Sequence, residues 1–388
     1  MPVRIMHVVD SLGKGGLENG LVNLIGRLDP WRFEHVVCAI RELGVNAERL
    51  PRERVRLMCL GKSATGSRFQ VGALIRAIRE VGPDLVHSRN WPAMESVLAA
   101  RWLATSVVHS EHGIESEAAV MQPSRRTFFR RVAFGMADRV VSVSRQLGDM
   151  HAQQTGFSRD RITVIHNGVD CGRFRPDPKS RDRVRRELGL SAEDLCLGCV
   201  GNLLPVKDHM TLLQALSGLD DCTKRWRLLI LGEGPERPRL QAFLNERREL
   251  RDRVSLMGLS DSVPELLCAM DIYVLPSLFE GISNALLEAM ATGLPSAVAA
   301  TGGNPEVVVD GESGLLFPAR DWRKLTSHLV LLAGKKDLRQ KLGEQAMHRV
   351  REEFSIDSMV LQYGQLYESL RPRTARQMRV WAGVQGGF

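Results

Sequence analysis

The sequence predicts an α/β protein of two doubly wound domains in tandem, on three observations. At 388 residues the chain is long for one domain and sufficient for two, each with its own core. Short apolar runs alternate with stretches of helical spacing, the pattern of parallel strands covered by helices on both faces. That alternation breaks once, at a polar stretch with two prolines, and then resumes.

The first series opens with residues 4–10, an apolar run that ends in Gly13-Lys-Gly-Gly16. Leu17, Leu21, Leu24, Ile25 and Leu28 follow at helical spacing, so the unit reads as strand, glycine turn and helix. Further strands are expected at 35–40, 55–60, 85–88, 106–110, 139–143 and 162–165, with helical patterns between most of them. Residues 176–186 are charged and carry both prolines, which places a linker near 171–190 and a first domain over 1–171. The second domain, 190–352, has expected strands at 197–200, 227–231, 254–257, 272–275, 296–299 and 314–317. From 321 to 370 the pattern is helical. The tail 371–388 has four arginines and no clear period, and is expected to be disordered or to touch a membrane.

Composition narrows the function. A hydrophobic content of 44% with 25% charged residues suits a soluble α/β protein. With no apolar run of eighteen residues and no secretory leader, a cytoplasmic protein is expected. Seven scattered cysteines argue against a disulfide framework. The Cys196-x-x-Cys199 pair lies in an apolar run and reads as two small hydrophobes in a strand. Of the net charge of +8, residues 1–171 carry +6. The densest spot is Arg125, Arg126, Phe128, Phe129, Arg130 and Arg131. Its rings could enter a bilayer interface while the arginines meet anionic headgroups, at the inner face of the cytoplasmic membrane. The other reading is a solvated helix with two core phenylalanines. Nucleic acid is not expected, because no binding motif is present and the basic excess is modest.

The residues that bear most on chemistry are Glu280 and Glu288. Tyr273, Val274 and Leu275 read as a buried strand, Pro276 ends it, and Ser283 is placed to cap the helix of Ala285, Leu286, Leu287, Ala289 and Met290. Glu280 then sits just before the helix and Glu288 on its first turns. The free N–H groups around Ser283, Asn284 and Ala285 carry the positive end of the helix dipole and favour a pyrophosphate. At about 1.5 Å rise per residue the carboxylates are far enough apart to serve two different sugars. On an ordinary helix such a pair is two solvated residues, and the surrounding sequence decides between the readings.

The run Glu280-Gly-Ile-Ser-Asn-Ala-Leu-Leu-Glu288-Ala-Met-Ala-Thr-Gly-Leu-Pro295 closely resembles the retaining glycosyltransferases of family 4, and the resemblance covers almost the full chain. It implies the GT-B fold, in which two Rossmann-like domains face each other across a cleft. It also implies a helix over 353–370 that crosses back to the amino-terminal, acceptor-binding domain. Glu280 is then expected to orient the donor sugar, Glu288 the ribose, Lys207 the pyrophosphate, and Gly15 and Gly16 the same pyrophosphate from the facing domain. His112, in Glu111-His112-Gly113 at a strand end, is expected to hydrogen-bond the transferred sugar. A lone histidine is otherwise more often structural, and Gly13-x-Gly15-Gly16 alone could be a tight turn; it lacks the third glycine of a dinucleotide fingerprint.

Gly234, in Gly232-Glu-Gly234-Pro235, matches the family's turn near the nucleotide. Thr301–Glu306, Asp310–Leu315 and Asn167-Gly168-Val169-Asp170 also match its spacing. One position departs. Where the family has an arginine beside Lys207, this chain has Asn202, a neutral amide in place of a permanent bidentate cation. Either donor affinity falls, another arginine substitutes, or the donor geometry differs.

No D-x-D sequence is present, so no metal or other cofactor is expected; the nucleoside-diphosphate sugar is the donor substrate. Lys207 and the helix N-terminus would then meet the leaving-group charge. The expected activity is retaining transfer of a hexose or N-acetylhexosamine to a glycan or lipid-linked acceptor, in exopolysaccharide or lipopolysaccharide assembly. The alternatives are a sugar-nucleotide epimerase of the same architecture, a nucleotide-sugar binder that has lost catalysis, and, more distantly, a nicotinamide-dependent enzyme.

Overall fold

A computed structural model of the protein describes residues 2–13, 15–61, 70–113, 125–217, 219 and 225–371; the expectation for the tail falls outside them from residue 372 onward. Two parallel sheets organise the chain. The first contains β1 (Val3–Ser11), β2 (Phe33–Glu42), β3 (Val55–Cys59), β4 (Leu85–Arg89), β5 (Ser106–Glu111), β6 (Arg139–Ser142) and β7 (Ile162–Val164), in the order β3-β2-β1-β4-β5-β6-β7. The second contains β8 (Leu195–Val200), β9 (Trp226–Leu231), β10 (Val254–Gly258), β11 (Ile272–Leu275), β12 (Ser296–Ala299) and β13 (Leu315–Phe317), in the order β10-β9-β8-β11-β12-β13. All ladders are parallel, as crossover connections through helices require.

In both sheets the strand order reverses once, between β1 and β4 in the first and between β8 and β11 in the second. Connections leave such a pair in opposite directions, so a crevice opens beyond the strand ends. Gly16, Lys207 and Glu280 follow β1, β8 and β11, and Arg89 ends β4, so all four lie at these two crevices.

The stretch expected to be the linker contains a helix, Pro178–Glu187. Asp177 caps it by accepting from the N–H groups of Lys179 and Ser180, and Arg181 and Arg185 anchor it on Asp271. The carboxy-terminal helix Ile356–Ser369 lies over the first sheet, where Met359, Tyr363 and Tyr367 pack with Ile5, Leu24, Phe33, Leu85 and Val108. One apolar cluster joins the two halves, because Val143 and Leu147 of the first pack with Ile282, Leu286 and Val298 of the second. Cys196 and Cys199 are buried in β8, and burial pushes both thiols up to about 12, as small hydrophobes of a strand interior behave.

The helix Arg125–Met136 departs from the reading of two core phenylalanines. Arg126 and Arg130 stack over Trp91 at 5.3 and 5.5 Å, and Arg130 Nε donates to Glu111 at 2.8 Å. That inward face turns Phe128 and Phe129 outward, 65% and 41% exposed, while Ala133 and Phe134 supply the core contact. No helix among the described residues is long and apolar enough to cross a membrane.

Candidate active site

On the second sheet's side, the loop after β8 ends in a short 3₁₀ turn, Pro205–Lys207, and the loop after β11 holds Glu280. The Leu278 N–H donates to the Val206 carbonyl at 2.8 Å and ties the loops together. Lys207 Nζ reaches Glu280 Oε1 at 2.5 Å, and Ser277 Oγ donates to the same oxygen at 2.7 Å. Glu280 is only 8% exposed. A nearly buried carboxylate of this kind requires a cation and donors, and it has both.

Ser283 caps the helix Asn284–Ala291, its hydroxyl accepting from the Leu286 N–H at 3.3 Å. Among the described residues no partner takes up the N–H groups of Ser283, Asn284 and Ala285, so all three remain at the positive end of this helix. Glu288 is half-buried on the second turn, and its carboxylate has no hydrogen bond to another described residue. Burial pushes its carboxyl up to about 7, against the pull of Arg173.

The facing side comes from the first sheet. Gly16 opens the helix Gly16–Arg27, and its carbonyl accepts from Asn284 Nδ2 across the cleft at 2.9 Å. The two features expected to flank a pyrophosphate are therefore brought together. Gly281 passes against His112, where a Cβ would lie 2.4 Å from the His112 carbonyl oxygen. Gly302, at φ +54°, passes so close to Glu280 that a Cβ would overlap its carbonyl oxygen. Asn202 is exposed, without a side-chain partner among the described residues, and lies on the loop that also carries Lys207. Gly234 packs against the Leu203 carbonyl of that loop. Gly15 is the N-cap residue of the first helix, in extended backbone, and offers no side chain to cap it.

Hydrogen bonds fix the state of His112. Its N–H donates to Asn90 Oδ1 at 2.8 Å, and its Nε2 lies 2.9 Å from Ser110 Oγ. Ser110 Oγ is 3.0 Å from His87 Nε2, and His87 Nδ1 is 2.7 Å from the Tyr367 hydroxyl. Burial and then the field of Arg89 hold His87 neutral and bring His112 down to about 3. Arg89 lies against the Tyr367 hydroxyl, and a guanidinium can only donate. Tyr367 therefore passes its proton to His87 Nδ1, His87 donates from Nε2 to Ser110, and Ser110 donates to His112 Nε2. The remaining proton of His112 is on Nδ1, which has no partner among the described residues. His112 is a neutral hydrogen-bond donor.

Sequence reasoning missed Arg89, Ser277 and Tyr367. Arg89 had one available signal, a charged residue ending a strand of otherwise apolar or small residues. Glu306, noted only as part of a loop, accepts from the N–H groups of Arg145 and Gln146, both at 2.9 Å, and from His166 at 3.1 Å. It caps a helix of the first half from the second.

A family model described as Glycosyltransferase Family 4 matches residues 14–173, and one described as Glycosyl transferases group 1 matches residues 194–335. A D-inositol 3-phosphate glycosyltransferase of Actinosynnema mirum is 30% identical over 74% of this chain and 74% of its own length. The UDP-Gal:alpha-D-GlcNAc-diphosphoundecaprenol alpha-1,3-galactosyltransferase of Escherichia coli is 26% identical over 81% and 82%. Among solved structures, a glycosyltransferase from Rickettsia africae superposes with a TM-score of 0.82 at 20% identity, covering 96% of this chain and 100% of that one. Anabaena Alr3699/HepE in complex with UDP-glucose gives 0.82 at 20% identity, over 94% and 99%. These structural likenesses establish the GT-B fold. The chain belongs to the group 1, family 4 glycosyltransferases.

Proposed function

We propose that the protein transfers a hexose or N-acetylhexosamine from a nucleoside diphosphate to a glycan or lipid-linked acceptor, with retention of anomeric configuration and without a metal ion. The observation that carries this reading is the Lys207–Glu280 pair at the second sheet's crevice, facing Gly16 and His112 of the first. Lys207 and the N–H groups of Asn284 and Ala285 stabilise the departing diphosphate. Glu280 accepts from donor-sugar hydroxyls, Glu288 from the ribose diol, and His112 donates from Nδ1 to the transferred sugar. Closure over the donor excludes water and limits hydrolysis. The relatives named above give this reading its setting, since one has a diphosphoundecaprenol acceptor and a structural neighbour binds UDP-glucose. The outward Phe128 and Phe129, with arginines beside them, suit a peripheral contact with anionic lipid at the cytoplasmic face.

The test is incubation of the purified protein with a panel of nucleoside-diphosphate sugars, with and without a membrane-lipid extract. Melting shift and released nucleoside diphosphate are read for each donor. One donor should stabilise the fold and release diphosphate only with the extract. Conversion of the donor to an isomer without any acceptor would favour an epimerase instead.

A further inference from the structure

Arg89 carries a charge that nothing in the described structure balances. It ends β4 at the reversal point of the first sheet and is only 3% exposed. Its Nη1 donates to His7 Nδ1 at 3.0 Å, and it lies against the Tyr367 hydroxyl. Among the described residues no carboxylate pairs with it. The groups that feel its field are His7, His35, His87, His112, Tyr363 and Tyr367, and burial together with that field keeps the four histidines neutral. A permanent cation taken out of water costs several kcal/mol unless an opposite charge meets it.

The geometry also shows where the counter-charge would enter. Arg89 lines a small, half-open cleft with Gly16, Leu21, His112, Asn167 and Tyr363, and no carboxylate is among its lining residues. Every lining residue belongs to the first half or to the carboxy-terminal helix; Lys207, Asn284 and Glu288 are absent from it. The helix Gly16–Arg27 starts at this cleft, but the Glu18 carboxylate bonds its own N–H in the first turn, so the positive charge facing the cleft is that of Arg89. His7 and Tyr367 occupy two of the five N–H donors of the guanidinium, and the others remain for a planar, bidentate partner.

We propose that Arg89 is the receptor for an oxyanion carried by the acceptor, a phosphate or a carboxylate, held in the first-half cleft beside His112. This rests on the transferase reading above and narrows its acceptor to an anionic one. Lys207, the cation expected at the donor phosphates, does not line this cleft, while Gly16 lines it and also faces Asn284 of the donor side.

The experiment uses the full chain, labelled with ¹⁵N at histidine side chains, titrated with inorganic phosphate and separately with sodium acetate, in the absence and presence of saturating UDP. Phosphate or acetate should move the His7 and His112 signals in a saturable manner with UDP bound, and the tighter of the two names the oxyanion class. Arg89→Gln should weaken that binding by about tenfold or more, and Arg89→Lys should retain part of it. Loss of the signal change when UDP is added would assign Arg89 to the donor phosphate and overturn the proposal. Equal binding by wild type and Arg89→Gln, or no saturable binding, would overturn it too. If Arg89→Gln fails to fold, Arg89→Lys decides: it must bind less tightly than wild type with an unchanged UDP melting shift. The transferase reading fails on a separate readout, when no donor of the nucleotide-sugar panel shifts the melting point or releases diphosphate.

Discussion

At the scale of single residues, the carboxylates Glu280 and Glu288 stand eight positions apart yet occupy different electrostatic settings. Glu280 has Lys207 at 2.5 Å and the Ser277 hydroxyl at 2.7 Å. In Glu280→Gln the amide oxygen still accepts from Ser277, so the fold should persist, while the charge that organises Lys207 is gone. The turnover number is expected to fall by about 100-fold or more, with the donor melting shift kept; unchanged turnover would remove Glu280 from the chemistry. Glu288 has no such partner, and burial raises its carboxyl from 4.5 to about 7. Between these values the folded protein holds a proton that the unfolded chain has released, so stability declines as pH rises from about 4.5 to about 7 and stays lower above it. Glu288→Gln removes that penalty. Its melting temperature should exceed the wild type's at pH 8 by on the order of 2 °C and match it at pH 4, and a difference of equal size at both pH values would contradict the assignment.

At the scale of elements, each of the thirteen strands was legible as a short, mainly apolar run, although the first sheet also buries His7, His35, His87 and Ser110 within its strands. What stayed hidden depends on partners distant in sequence. Residues 178–187 look like a polar linker, yet Asp177 caps them and Asp271, some ninety positions away, receives Arg181 and Arg185. Phe128 and Phe129 could be placed on either face of their helix until Trp91 took its arginines. The site divides in the same way. Glu280, Ser283 and Glu288 lie in one continuous strand, turn and helix, so their spacing could be read directly. The Nδ1–H state of His112 depends on Arg89 and Tyr367, which are 23 and 255 positions away. The carboxy-terminal helix is thus a positioning element as well as a cover. Tyr367→Phe should leave His87 free to change tautomer, shift the ¹⁵N signals of the His112 ring and lower the turnover number by about tenfold, while UDP binding stays as it was. An altered melting temperature with unchanged His112 signals would mean that Tyr367 only packs.

At the scale of the whole molecule, the site exists only where the two halves meet, and apolar packing and hydrogen bonds hold them in that arrangement. Glu306 caps the helix Arg145–Thr155 from the second half. Although burial opposes ionisation, its bonds to His166 and to the N–H groups of Arg145 and Gln146 lower its carboxyl below 4.5. The stabilisation is therefore present above about pH 4.5 and is lost as pH falls through the lowered value. Glu306→Gln should flatten that acid limb in melting scans from pH 6 to pH 3. A more direct probe is Gly281, whose missing side chain allows the two halves to touch beside the reacting groups. A Cβ there would sit 2.4 Å from the His112 carbonyl oxygen and 2.8 Å from Val143 Cγ2. The first of these is backbone at the end of β5, and it cannot swing aside as a flexible side chain would. In Gly281→Ala each half can fold and Lys207 can still hold the donor, but the halves must stand apart by about an ångström or more. A displacement of that size suffices to lower turnover by about 100-fold. Small-angle scattering of the UDP-saturated variant should give a larger radius of gyration than the UDP-saturated wild type, with the melting shift by UDP preserved. Wild-type turnover together with an unchanged scattering curve would mean that contact between Gly281 and His112 is no part of the working enzyme.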